Sequence, residues 1–178
     1  MLLTRRDAAL TFGALWTALV LPAGALAQTT STLSWTPKAL SADQARTLDA
    51  VAELIIPATD TPGARAAGVP QFVDRALTDY YDPADGARYK AGLDQIDRDA
   101  RAAHGAAFVA LTGAQQLALL TRYDTEGMAS FRALKELVTI GYFTSEPGAT
   151  IALRYDPVPG DYHGCVPLKD IGRAWATT

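Results

Sequence analysis

The chain has one cysteine, Cys165, and two histidines, His104 and His163. A structural zinc site takes about four Cys or His ligands, so the sequence is short of the material for one. No G-x-G-x-x-G, Walker loop, H-E-x-x-H or G-x-S-x-G occurs, and no C-x-x-C-H that would attach haem. Together these absences weigh against an enzyme. The formal net charge of −3 offers no basic patch for a phosphate backbone, so nucleic acid is not expected as a partner. An apolar run at residues 8–21 (AALTFGALWTALVL) falls short of the roughly 20 residues needed to cross a bilayer.

That run belongs to an address. Arg5 and Arg6 precede it, Pro22 stops it, and the small residues ending in Ala25-Leu26-Ala27 form an A-x-A site with cleavage expected after Ala27. Thr4-Arg5-Arg6-Asp7 is similar to the start of a twin-arginine signal, the route of proteins that fold before crossing the membrane. Ala8 and Ala9 stand where that pattern prefers bulky apolar residues, so a Sec signal remains the alternative for the route. An uncleaved anchor is the alternative for the segment.

Residues 28–40 are rich in Thr and Ser and read as a flexible leader. The rest of the chain reads as all-α: a small bundle of about five helices over residues 41–145. Ser41 with Gln44, and Thr112 with Gln115, have capping-box spacing and mark two helix starts. Leu48, Val51, Ala52, Leu54 and Ile55 form a helical stripe that Pro57 ends. A second helix opens at Pro70 and is expected to face Phe72, Val73, Ala76, Leu77 and Tyr80 inward. A third, over residues 84–103, is more polar and is expected to cover one side of the bundle, anchored by Leu93 and Ile96. Leu117, Leu119, Leu120 and Tyr123 mark the fourth, and Phe131, Leu134, Leu137, Val138 and Tyr142 the fifth. Asp43, Asp49 and Glu53 read as a solvated helix face without a functional role.

Beyond residue 145 four prolines and four glycines remove any helical period, and residues 146–178 read as an extended, irregular arm. Tyr155, Tyr162 and Trp175 argue that this arm packs on something and serve as candidate interface anchors. His163 and Cys165 could pair as base and nucleophile or as two metal ligands, but nothing with diagnostic spacing completes either set. A lone cysteine in an exported chain suggests an interchain disulfide or a free thiol.

Residues 48–57 (LDAVAELIIP), 68–74 (GVPQFVD), 141–149 (GYFTSEPGA), 153–155 (LRY) and 164–167 (GCVP) resemble the gluconate 2-dehydrogenase subunit 3 family, over roughly residues 40–175. The resemblance implies a three-part complex. In it a large FAD-containing subunit oxidises a sugar or polyol, and a multihaem cytochrome c subunit passes the electrons to membrane quinone. The small subunit carries the twin-arginine signal and assists maturation and export of the flavoprotein through the twin-arginine translocase. It implies a non-catalytic chain that binds no cofactor itself and sits in the periplasm, held at the inner membrane by the complex. The alternatives are a free-standing periplasmic enzyme or ligand-binding protein using the His163/Cys165 region, and a chaperone that leaves the complex.

Overall fold

The computed structural model describes residues 33–158, 160–161 and 164–176. Among them five α-helices of 11 to 22 residues build the bundle. These are α1 (Ala42–Ile55), α2 (Val69–Asp79), α3 (Pro83–His104), α4 (Gly113–Thr125) and α5 (Ala129–Phe143). A 3₁₀ turn (Phe108–Ala110) links α3 to α4, a π turn (Gly148–Ala152) follows α5, and a short α6 (Leu168–Ile171) lies in the arm. The all-α bundle read from the sequence is therefore the observed architecture.

Local chemistry sets the helix ends. Both bonds of the Ser41/Gln44 and Thr112/Gln115 capping boxes are made. Pro70 lies in the first turn of α2 and Pro83 in that of α3, where their missing N–H groups lose nothing. The core runs through Leu48 and Val51 of α1, Val69 and Val73 of α2, Leu93 and Ile96 of α3, and Leu134 and Val138 of α5. Phe108 plugs it from the 3₁₀ turn, fully buried, with its N–H donated to Asp97 Oδ1 at 2.9 Å.

Tertiary contacts overturn two expectations, for Tyr80 and Asp49. Tyr80 is 91% exposed, because α2 ends at Asp79 and the chain turns away at that point. On α4, Leu119, Leu120 and Tyr123 take the inner face, while Leu117, 53% exposed, lies about 110° round the helix from its centre. The polar α3 packs against both α1 and α5, burying its anchors Leu93 and Ile96 and leaving most of its residues open to solvent, as expected. Gly92 allows this, since a Cβ there would stand 3.1 Å from Ser130 Cβ. Asp49 is buried rather than solvated. The loop after α1 folds back so that Arg65 reaches it at 2.8 Å, while Glu53 accepts the Arg65 N–H at 2.9 Å.

Part of the flexible leader is also ordered. Leu33, Trp35 and Ala39 pack on the core, and Leu40 is buried within it. The Asp74 carboxylate on α2 holds the end of this segment, accepting the N–H groups of Lys38, Ala39 and Leu40 at 2.8, 3.0 and 3.0 Å.

Candidate functional site

Arg5, Arg6, Ala27, Tyr162 and His163 lie outside the described residues. Cys165 is an exposed free thiol. Among the described residues no group of three His, Cys, Asp or Glu side chains is placed to hold a metal ion. No described helix is long and apolar enough to cross a membrane.

What the structure assembles is an apolar end. Among the described residues, exposed large hydrophobic side chains concentrate from the last turns of α5 into the arm: Ile140, Phe143, Ile151, Tyr155, Val158, Val166 and Trp175. They follow one another along the chain, the last five beyond the end of α5. Val158 is 81% exposed, beyond what packing on the chain's own bundle would leave. Tyr155 and Trp175, both anticipated, are members, each with two-fifths or more of its surface open. The other five escaped the sequence reading. Ile140 and Phe143 carried a usable signal, since both stand off the buried stripe formed by Phe131, Leu134, Leu137 and Val138.

The segment at residues 141–149 sets where the arm leaves the bundle. Gly141 lets α2 approach α5 closely, because a Cβ there would meet the Phe72 ring at 2.6 Å. Tyr142 is buried and donates its hydroxyl to the Pro62 carbonyl at 2.8 Å, tying α5 to the loop after α1. Ser145 Oγ donates to the Tyr142 carbonyl at 2.6 Å and accepts the Gly148 N–H at 3.1 Å, shaping the turn into the arm. Residues 48–57 supply Asp49 and Glu53, which hold Arg65 of the same loop, and residues 68–74 supply Phe72, which faces Gly141, and Asp74, which holds residues 38–40. Three of the segments that carry the family likeness thus make framework contacts, and residues 141–149 form the turn at the root of the arm.

The arm is irregular, as expected, but it returns on itself. Arg154 donates its N–H to the Ala174 carbonyl at 2.8 Å and accepts that of Ala176 at 2.9 Å, forming a parallel bridge with Trp175. The Arg154 guanidinium lies over the Trp175 ring, 4.2 Å from its centroid. The Arg173 guanidinium bonds the Ile151 carbonyl in the π turn.

A concavity lies between α3 and the start of α5, with a volume of about 780 Å³. Its walls include Tyr81, Tyr89, Gly92, Gln95, Met128 and Ala133, with Arg88 and Arg98 at its edge. The two tyrosines meet edge-on, ring centroids 5.1 Å apart, and the Tyr89 hydroxyl donates to that of Tyr81 at 3.2 Å. Burial, then this hydrogen bond, then the charges of Glu136 and Asp85 hold the Tyr89 phenol well above its ordinary value of 10.0. Burial and the bond to Asp99 raise Tyr123 likewise.

Both shifts favour the protonated phenol in the folded chain. The stability they confer is complete below pH about 10, and is lost as pH rises from there through the folded values. Absorbance at 295 nm should show two phenols that ionise late when folded and normally in urea. Replacing Tyr89 and Tyr123 with phenylalanine should remove both the lag and their share of the alkaline loss of stability. For Asp49 burial outweighs the Arg65 cation, so its carboxyl sits above the usual range and the pair does not fully offset its desolvation.

No curated protein and no solved structure matches the chain. A family model described as gluconate 2-dehydrogenase subunit 3 matches residues 42–160, from the first residue of α1 through the bundle and the root of the arm. With the matched span covering all five bundle helices, the chain belongs to the gluconate 2-dehydrogenase subunit 3 family.

Proposed function

We propose that this chain is the non-catalytic small subunit of a periplasmic, membrane-associated, FAD-dependent sugar dehydrogenase acting on a gluconate, glucoside or polyol. The observation that carries the reading is the apolar end of a bundle belonging to a dehydrogenase-subunit family. The catalytic flavoprotein is the partner seated there, and a multihaem cytochrome c subunit completes the complex. FAD and haem c belong to those chains.

The physical role is linkage. A chain that binds the folded flavoprotein and not the unfolded one stabilises it by about 2.7 kcal/mol when free subunit stands at 100 times the Kd. A stable association of this kind buries on the order of 1,200–2,000 Å² in total. The leader ending at Ala27, with Arg5 and Arg6, directs export of the folded pair through the twin-arginine translocase. Cys165, an exposed thiol on the arm, bridges to the partner in the oxidising periplasm.

The test is purification of the tagged chain from its native membranes in mild detergent, followed by an absorption spectrum and a non-reducing gel. Flavin and haem bands with a large co-purifying chain are expected, together with a mass-shifted band that Cys165→Ser abolishes. A lone colourless chain would overturn the reading. Replacing Arg5 and Arg6 by lysine should strand both this chain and the flavoprotein in the cytoplasm. Normal export of that variant would remove the twin-arginine route.

A further inference from the structure

We infer that Arg154 and Trp175 form a clasp that closes the arm before any partner arrives, so that Trp175 is a positioning residue and not an anchor inserted into the partner. The inference rests on the reading of the arm as the docking element for the flavoprotein subunit.

Three independent contacts hold the two ends of the arm together. Both backbone groups of Arg154 are engaged, with Ala174 on one side and Ala176 on the other. The guanidinium covers one face of the Trp175 ring at 4.2 Å, which removes that face from any intermolecular use. The Arg173 side chain makes a separate tie to the Ile151 carbonyl. Gly172, with φ of 77°, ends α6 in the left-handed conformation and turns the chain into the bridge.

Closure brings the open apolar groups of the arm, Tyr155, Val158 and Val166, onto a segment anchored at both ends. A partner then meets a shaped surface and does not have to order a free tail. If the clasp is open most of the time, apparent affinity falls in proportion to the closed fraction. The clasp is assembled from residues 154 and 175, on either side of the point where the family match ends at residue 160.

The experiment uses the full chain with Arg154→Ala, Trp175→Ala and the double substitution. Limited proteolysis between residues 155 and 173 is measured on the free chain, and affinity is measured for the co-purified flavoprotein. Each single variant should cut faster than wild type and bind about tenfold more weakly. The double variant should bind no worse than the weaker single, because both substitutions open the same clasp. Trp175→Phe, which keeps a ring under the guanidinium, should recover most of the protection. A Trp175→Ala chain that binds weakly while its free arm stays fully protected, with an effect that adds to Arg154→Ala, would make Trp175 a direct anchor and overturn the clasp. Unchanged proteolysis in all variants would overturn it as well. Failure of the wild-type chain to bind any flavoprotein would instead remove the docking role, while the proteolysis still decides whether the arm is clasped.

Discussion

Replacing Asp74 with alanine will lower the unfolding free energy by about 3 kcal/mol. The side chain is 3% exposed, and its carboxylate is the partner of three consecutive backbone N–H groups, from Lys38 to Leu40. Hydrogen bonds to a charged acceptor contribute roughly 1.5–3 kcal/mol each, and alanine leaves all three donors unpaired. Water reaches the outer two and limits the loss, whereas the Leu40 N–H is buried. For a chain of this size the change corresponds to a fall in Tm on the order of 10 °C. Residues 33–40 should come loose with it, so the half-buried Trp35 will gain solvent and its fluorescence will shift to the red. Asp74→Asn, keeping one acceptor oxygen, should lose about half as much. A melting curve for Asp74→Ala within 2 °C of wild type would show that this carboxylate does not hold the segment.

Gly148→Ala is expected to be nearly as damaging, for a different reason. A Cβ at this position would stand 1.8 Å from the Tyr142 carbonyl oxygen, 2.7 Å from its carbon and 3.1 Å from Phe143 Cα. All three are backbone atoms at the end of α5, so no side chain can move aside. The turn held by Ser145 has to open, at a cost of about 3 kcal/mol. Far-ultraviolet dichroism should keep its helical signal, while the root of the arm shifts and flavoprotein capture falls with it. Gly113→Ala is the control. Nothing lies within 4 Å of a Cβ there, and the residue opens α4, so the change should be neutral or slightly stabilising. Equal melting temperatures and equal partner capture for the two variants would refute the crowding at residue 148.

The parts of the fold legible in the sequence are those decided within one turn of helix. Ser41 with Gln44 and Thr112 with Gln115 are local pairs, and both form the capping boxes that their spacing implies. The α5 stripe from Phe131 to Tyr142 is likewise buried, because a period of 3.6 presents one face to whatever neighbour arrives. Asp49 and Asp74 were illegible. Their partners are Arg65, 16 positions on, and the amides of residues 38–40, at least 34 positions back. A carboxylate on a helix reads as solvated until such a segment crosses it. Phe108 was missed because a three-residue 3₁₀ turn has no period to detect.

The candidate site divides along the same line. Tyr155 and Trp175 stood out because large aromatics are unusual in a proline- and glycine-rich tail. Nothing local revealed that Trp175 pairs with Arg154, since their contact spans the whole arm. Ile140 and Ile151 are ordinary apolar residues by composition, and they become a surface only because no described neighbour covers them.

The sequence by itself determined the helical class, most of the helix starts, the irregular arm and the family. Each follows from short-range chemistry or from residue pattern. The tertiary structure alone decided which carboxylates are buried, how closely α2 approaches α5 at Gly141, and which apolar side chains stay open to a partner. Burial is a property of what crosses a residue from elsewhere in the chain, and that is settled only when the helices pack.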